Sequence, residues 1–138
     1  MSSGAILIVD DDNDVRAALS GLLEEEGFAV EAAKNGREAL ARLRGGVHPA
    51  VILLDLMMPG MDGWDFRSEQ MRDPTLAAVP VVVVSASGFS LDSIRTQFHP
   101  AAYVEKPIES TELLDVIRAL VRSRPPGQLD AAERARDS

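Results

Sequence analysis

The stretch Ala5-Ile6-Leu7-Ile8-Val9-Asp10-Asp11-Asp12 decides how the rest of the chain is read. Five aliphatic residues, three of them β-branched, stop abruptly at three carboxylates. A short apolar run bounded by turn-forming residues predicts a fully buried strand. Carboxylates at the C-terminal end of such a strand lie where open α/β sheets bind ligands. Like charges packed this closely repel, and a hard, oxygen-seeking cation such as Mg²⁺ offsets the repulsion. The plainer alternative is a solvated acidic turn that caps a helix.

Outward from this stretch, strands and helices alternate. A helix begins near Asn13 or Asp14, carries Val15, Leu19, Leu22 and Leu23 at helical spacing, and stops at Gly27. A weaker strand covers 28–32, Asn35-Gly36 signals a turn, and a helix spans 37–43. The apolar run 50–54 predicts a third strand, and it too ends in an aspartate, Asp55. A turn-rich loop over 57–63 leads to a helix over 64–71. Strand 80–84 ends in Ser85, a helix over 91–98 follows, and a short strand covers 101–104. Ser110 is the predicted N-cap of a last helix that reaches Arg122. Five βα units with apolar strands imply a parallel sheet covered on both faces by helices.

The bulk numbers bound the function. At 138 residues and 46% hydrophobic, the chain is one globular domain with a real core. A net charge of −8 argues against direct nucleic-acid binding. With no cysteine there is neither a disulfide framework nor a thiolate metal site. Neither a signal peptide nor a run long enough to span a bilayer is present, so a cytoplasmic protein without membrane contact is predicted. Lys34 and Lys106 are the only lysines among 14 basic residues, a hint that lysine is required where it is kept. After Ser123 the composition turns to Arg-Pro-Pro-Gly-Gln and a charged, alanine-rich stretch. The predicted domain is therefore 1–123, with 124–138 a flexible tail or truncated linker.

Polar groups converge on one edge of the predicted sheet: Asp10 and Asp11, Asp55, Ser85 and Lys106. Each alone has an ordinary explanation, as a turn cap, a local backbone partner or a solvated lysine. Together, at successive strand ends, they describe a phosphoryl site. Asp10, Asp11 and Asp55 can hold Mg²⁺. Asp55 can be a nucleophile that forms an acyl phosphate. Lys106 supplies a positive charge and Ser85 a hydroxyl, and phosphoryl transfer needs little beyond such positioning.

The segments Ile8-Val9-Asp10-Asp11, Leu54-Asp55-Leu56-Met57-Met58-Pro59-Gly60-Met61-Asp62-Gly63, Val84-Ser85-Ala86 and Tyr103-Val104-Glu105-Lys106-Pro107 resemble the receiver domain of bacterial two-component response regulators, including the chemotaxis-regulator type. The resemblance runs from Ala5 to Arg122. It implies a flavodoxin-like (βα)5 fold with strand order 2-1-3-4-5. It implies Asp55 as phosphoacceptor, Asp11 as a direct metal ligand, and Asp10 acting mainly through metal-bound water. The Met57 carbonyl would complete the protein's share of the shell. Ser85 and Tyr103 would be the switch pair, Lys106 would contact the phosphoryl group, and the Lys106-Pro107 peptide would be cis. Implied partners are a sensor histidine kinase or histidine phosphotransfer protein, and a downstream effector or second copy. The latter would engage the face of the fourth helix, fifth strand and fifth helix, including Tyr103, Arg95, Asp115, Arg118 and Arg122. Implied chemistry is Mg²⁺-dependent self-phosphorylation with slow autodephosphorylation.

Several positions depart from the family's pattern or carry no assigned role. Asp12 reads as a redundant acid facing solvent. Met57 cannot orient a water, Ser87 is small and uncharged, and Gln97-Phe98-His99-Pro100-Ala101 replaces the usual Gly-Ala before the fifth strand. Trp64 reads as a packing residue, and His48 and His99 as structural. Three alternatives compete with the phospho-accepting switch. A haloacid-dehalogenase-like hydrolase needs an aspartate where Met57 stands. A nucleotide or flavin binder needs backbone donors, not three acids, after the first strand. A degenerate receiver used only for docking would not need a complete acidic site. A receiver fragment of a longer multidomain regulator remains compatible with the sequence.

Overall fold

The computed structural model describes residues 5–56, 63–85, 92 and 94–122. Strands β1 (Ile6–Val9), β2 (Val30–Ala33), β3 (Val51–Asp55), β4 (Val81–Ser85) and β5 (Ala102–Glu105) pair in parallel in the order β2-β1-β3-β4-β5. Helices α1 (Asn13–Glu25), α2 (Gly36–Arg44), α3 (Gly63–Arg72) and α5 (Ser110–Arg122) flank the sheet, with a short π-helical segment, α4, over Ile94–Phe98. The flavodoxin-like α/β architecture read from the sequence is the one observed. Strand order reverses between β1 and β3, which places the ligand crevice above their C-terminal ends.

Side-chain alternation along the strands divides the core in two. Leu7, Val9, Ile52, Leu54, Val81 and Val83 pack against Leu40, Leu43, Phe66, Ile94 and Phe98. Ile6, Ile8, Val51, Leu53, Val82 and Val84 pack against Leu19, Leu23, Leu113 and Ile117. Every residue of β1, β3 and β4 is buried, as coverage of both faces requires. Among the described residues, no helix is long and apolar enough to cross a membrane.

Four strands, β2 to β5, end one residue later than the sequence predicts. Asp55 is the last residue of β3 and pairs with Val84, and Ser85 ends β4 opposite Glu105. Asp55 and Ser85 are thus held in the hydrogen-bonded ladder rather than in the loops. β2 starts later than predicted, at Val30. The amides of Gly27 and Phe28 close the end of α1 on the carbonyls of Glu24 and Leu23, with Gly27 at φ 92. Phe28 is therefore committed to the helix cap and not to the sheet.

The helix predicted over 91–98 is observed as π-helical over Ile94–Phe98. The His99 amide reaches back five residues to the Ile94 carbonyl at 3.1 Å, and His99 adopts φ 55 just before Pro100. Proline has no amide to continue a helix. The carbonyls left over at this end are taken by Arg67 of α3, whose Nε and Nη2 donate to Phe98 and His99 at 3.0 and 2.8 Å. The guanidinium also lies 5.1 Å from the centre of the Phe98 ring, and Trp64 meets that ring edge-on at 5.3 Å. Trp64 is thus a packing residue, as read.

At α5 the cap is Glu109, not Ser110. The Glu109 carboxylate accepts from the amides of Thr111 and Glu112 at 2.9 and 3.0 Å, and Ser110 is the first helical residue. The loop positions Met57 and Ser87 and the tail 124–138 lie outside the described residues.

Candidate functional site

Four strand ends deliver the predicted groups to one place. Asp10 follows β1, with its amide on the Ala33 carbonyl at 3.2 Å. Asp55 closes β3 and Ser85 closes β4. The Lys106 amide donates to the Ser85 carbonyl at 2.8 Å, which fixes where its side chain starts. The Lys106-Pro107 peptide is cis.

Asp10 and Asp55 are 3% and 6% exposed, whereas Asp11 faces solvent. One carboxylate oxygen from each of Asp10, Asp11 and Asp55 lies within 4.8 Å of the others. Lys106 Nζ sits 3.3 Å from Asp10 Oδ2 and 3.5 Å from Asp55 Oδ2. Burial alone would pull the Lys106 ammonium toward neutrality, but the charges of Asp55 and Asp10 outweigh it and hold its pKa above the usual lysine value. Two nearly buried carboxylates are tolerable because this one cation bridges them. Ser85 is fully buried, and its hydroxyl has no hydrogen-bond partner among the described residues. A hydroxyl left in that condition costs stability and is kept where something else binds it.

The aspartate run divides its labour. Asp10 Oδ1 accepts from the Asp12 amide at 2.9 Å, which shapes the turn after β1. Asp12 is not a redundant acid. Its Oδ1 accepts from the amides of Asp14 and Val15 at 2.8 and 3.1 Å and caps α1. The helix-cap reading of the acidic run thus holds for Asp12, while Asp10 and Asp11 turn to the cluster.

Tyr103 is half-buried on β5, against the core that contains Ile94 and Phe98. Burial, then the charge of Glu105, pushes its phenol above the usual value. Arg118 does not stand free on the neighbouring face, because its guanidinium is bonded to the Glu26 carboxylate at the end of α1.

Gly63 is a site residue that sequence reasoning passed over. Its amide donates to the Leu56 carbonyl at 3.1 Å, and a Cβ there would meet Leu56 Cα at 2.7 Å and the Asp55 carbonyl at 3.0 Å. The start of α3 is pressed against the residue that follows Asp55. The Asp62-Gly63 turn signal was legible, but the close approach was not.

The sequence model of the response regulator receiver domain matches residues 6–118. This chain belongs to that family. It is 34% identical over 119 residues to response regulator Rre1 of Synechocystis, covering 85% of this chain and 51% of Rre1. It is 32% identical over 117 residues to protein PilH of Pseudomonas aeruginosa, covering 84% of this chain and 96% of PilH. The crystal structure of the receiver domain of a signal transduction histidine kinase from Syntrophus aciditrophicus superposes with a TM-score of 0.79 at 29% identity, covering 94% of this chain and 99% of that one. The chain spans about half the length of the first curated relatives it matches, at 51% and 53%. Receiver domains of two-component signalling bind Mg²⁺ at an acidic pocket and interact with histidine kinases or phosphotransfer proteins. The donor set here, three carboxylates whose oxygens lie within 4.8 Å, fits a hard divalent cation.

Proposed function

We propose that this receiver is a phospho-accepting switch. Asp55 takes a phosphoryl group from a phosphohistidine on a sensor histidine kinase or histidine phosphotransfer protein. The observation that carries the reading is the position of Lys106, 3.5 Å from Asp55 Oδ2 and 3.3 Å from Asp10 Oδ2, beside a buried Ser85 hydroxyl that has no hydrogen-bond partner among the described residues.

An Asp55 carboxylate oxygen attacks phosphorus, the P–N bond breaks, and the departing imidazole takes up a proton from solvent. Asp10, Asp11, Asp55 and the Met57 carbonyl would hold Mg²⁺, which when bound would supply positive charge against the phosphoryl oxygens and the carboxylates. Of these, Asp11 would be a direct ligand and Asp10 would act mainly through a coordinated water. Lys106 exchanges its carboxylate partner for a phosphoryl oxygen. Ser85 donates its hydroxyl to another. The self-phosphorylation and slow autodephosphorylation are the only chemistry assigned to the domain. The receiver comprises 1–123, with 124–138 a tail or linker, and it works in the cytoplasm.

The output face is α4–β5–α5. Ser85 precedes α4, Tyr103 lies on β5 and Lys106 leads into α5, so a phosphoryl group at Asp55 biases all three. Its leverage is limited to its differential affinity for the two states. A downstream protein effector or a second copy of the chain would read that face through Tyr103, Arg95, Asp115 and Arg122. Arg118 is left out because it is engaged with Glu26. Amide exchange with and without a beryllofluoride mimic of the phosphoryl group tests this. Altered protection at 94–105 is expected; changes confined to the segments around Asp10, Asp55 and Ser85 would contradict it.

A further inference from the structure

Arg16 is a cation in the first turn of α1, within six residues of four aspartates, yet it forms no ion pair with any of them among the described residues. Its Nη1 donates instead to the backbone carbonyl of Asp10 at 2.7 Å. Its Nη2 bonds to the Asn13 side chain. One planar fork therefore ties the Asp10–Asp11 peptide, just beyond β1, to the first turn of α1.

That peptide links Asp10 to Asp11. Its carbonyl end is held by Arg16, the Asp10 side chain by the Asp12 amide and Lys106, and Asp12, on the other side of Asp11, by its capping bonds to α1. The Asp11 carboxylate is the exposed member of the acidic cluster, and it hangs from a Cα whose direction these contacts set. We infer that Arg16 is a positioning residue, which aims the Asp11 carboxylate into the cation site by fixing the Asp10–Asp11 peptide. The inference rests on the metal-binding reading above.

Position and charge pull in opposite directions here. A guanidinium beside a cation site repels the cation, so removing it should tighten binding if charge were its main effect. If positioning is its main effect, removing it should loosen binding. The partners it chooses, a carbonyl and a neutral amide, favour positioning.

Calorimetric titration of the full chain with MgCl₂ decides between the two. Arg16→Ala is expected to weaken Mg²⁺ binding about tenfold, the lower end of the range for residues that orient metal ligands. Arg16→Lys keeps the charge and can keep one bond to the Asp10 carbonyl but not the second arm to Asn13, and is expected to weaken binding to an intermediate degree. Unchanged or tighter binding by Arg16→Ala, with wild-type affinity in Arg16→Lys, would overturn the inference. Should Arg16→Ala fail to fold by circular dichroism, Arg16→Lys alone decides: weaker binding supports positioning, and wild-type affinity removes it. Absence of Mg²⁺ binding by the wild type itself would instead defeat the metal-binding reading, and this inference with it.

Discussion

Lys106 Nζ reaches Asp55 Oδ2 at 3.5 Å across a strand that lies between them. Asp55 ends β3, Lys106 follows β5, and β4 separates the two in the sheet. The lysine therefore senses the state of Asp55 from the far side of Ser85. Lys106→Met should still bind Mg²⁺ but should accept a phosphoryl group on the order of 10²-fold more slowly, as when a positioned cationic or hydrogen-bond donor is removed. Labelling kinetics with a small phosphodonor give the measure.

The same ion pair predicts a pH dependence. The carboxylates raise the Lys106 pKa in the folded state above the unfolded value. Its stabilising contribution is then fully present below the ordinary lysine value, about 10.4, and is lost as pH rises through the folded one. Urea midpoints measured up to strongly alkaline pH should fall in the wild type, and Lys106→Met should lack that part of the decline. Parallel curves for the two proteins would contradict the assignment.

Asp12→Ala should cost about 1 kcal/mol, the usual loss on removing an N-cap side chain. Phosphorylation should persist, because the carboxylate faces the amides of Asp14 and Val15 and not the acidic cluster. Asp12→Asn should recover most of the stability. Urea denaturation together with labelling separates this structural role from a catalytic one.

Arg67→Ala should cost about 2 kcal/mol, since hydrogen bonds from a charged donor to two carbonyls are lost. The loss should be local. Amides of residues 94–99 should exchange faster while those of β1 and β3 stay protected, because Arg67 is what ties α4 to α3.

Gly63→Ala tests the contact between α3 and the phosphoacceptor strand. The added Cβ meets backbone at 2.7 and 3.0 Å and cannot be accommodated by a side-chain shift alone. A cost of about 1–3 kcal/mol is expected for such overpacking. Labelling of Asp55 should fall as well. Wild-type stability would show that the approach is looser than the geometry indicates.

The strands and their apolar faces were legible because both-face burial writes an unbroken aliphatic run, as in β1, β3 and β4. The site was legible because its residues sit at the ends of those runs. Strand ends were misplaced by one residue because hydropathy changes at Asp55 and Ser85 while backbone pairing continues through them. The cap at Asp12 was legible as the plainer reading of the acidic run, but Glu109, Arg16 and Arg67 were not legible, for a different reason. Each acts through backbone amides or carbonyls, and such partners depend on geometry that residue type does not encode. The run from Phe98 to Ala101 was flagged as unusual, but nothing in it announced that Arg67, from a different helix, would take its carbonyls.

The most direct measurement is mass-mapped phosphorylation of the wild type and Asp55→Asn with Mg²⁺ and a small phosphodonor. The account predicts one phosphoryl adduct per chain, placed on Asp55, abolished by chelation of Mg²⁺ and absent from a folded Asp55→Asn. Stoichiometric labelling of Asp55→Asn, or a wild-type adduct at any other residue, would contradict it.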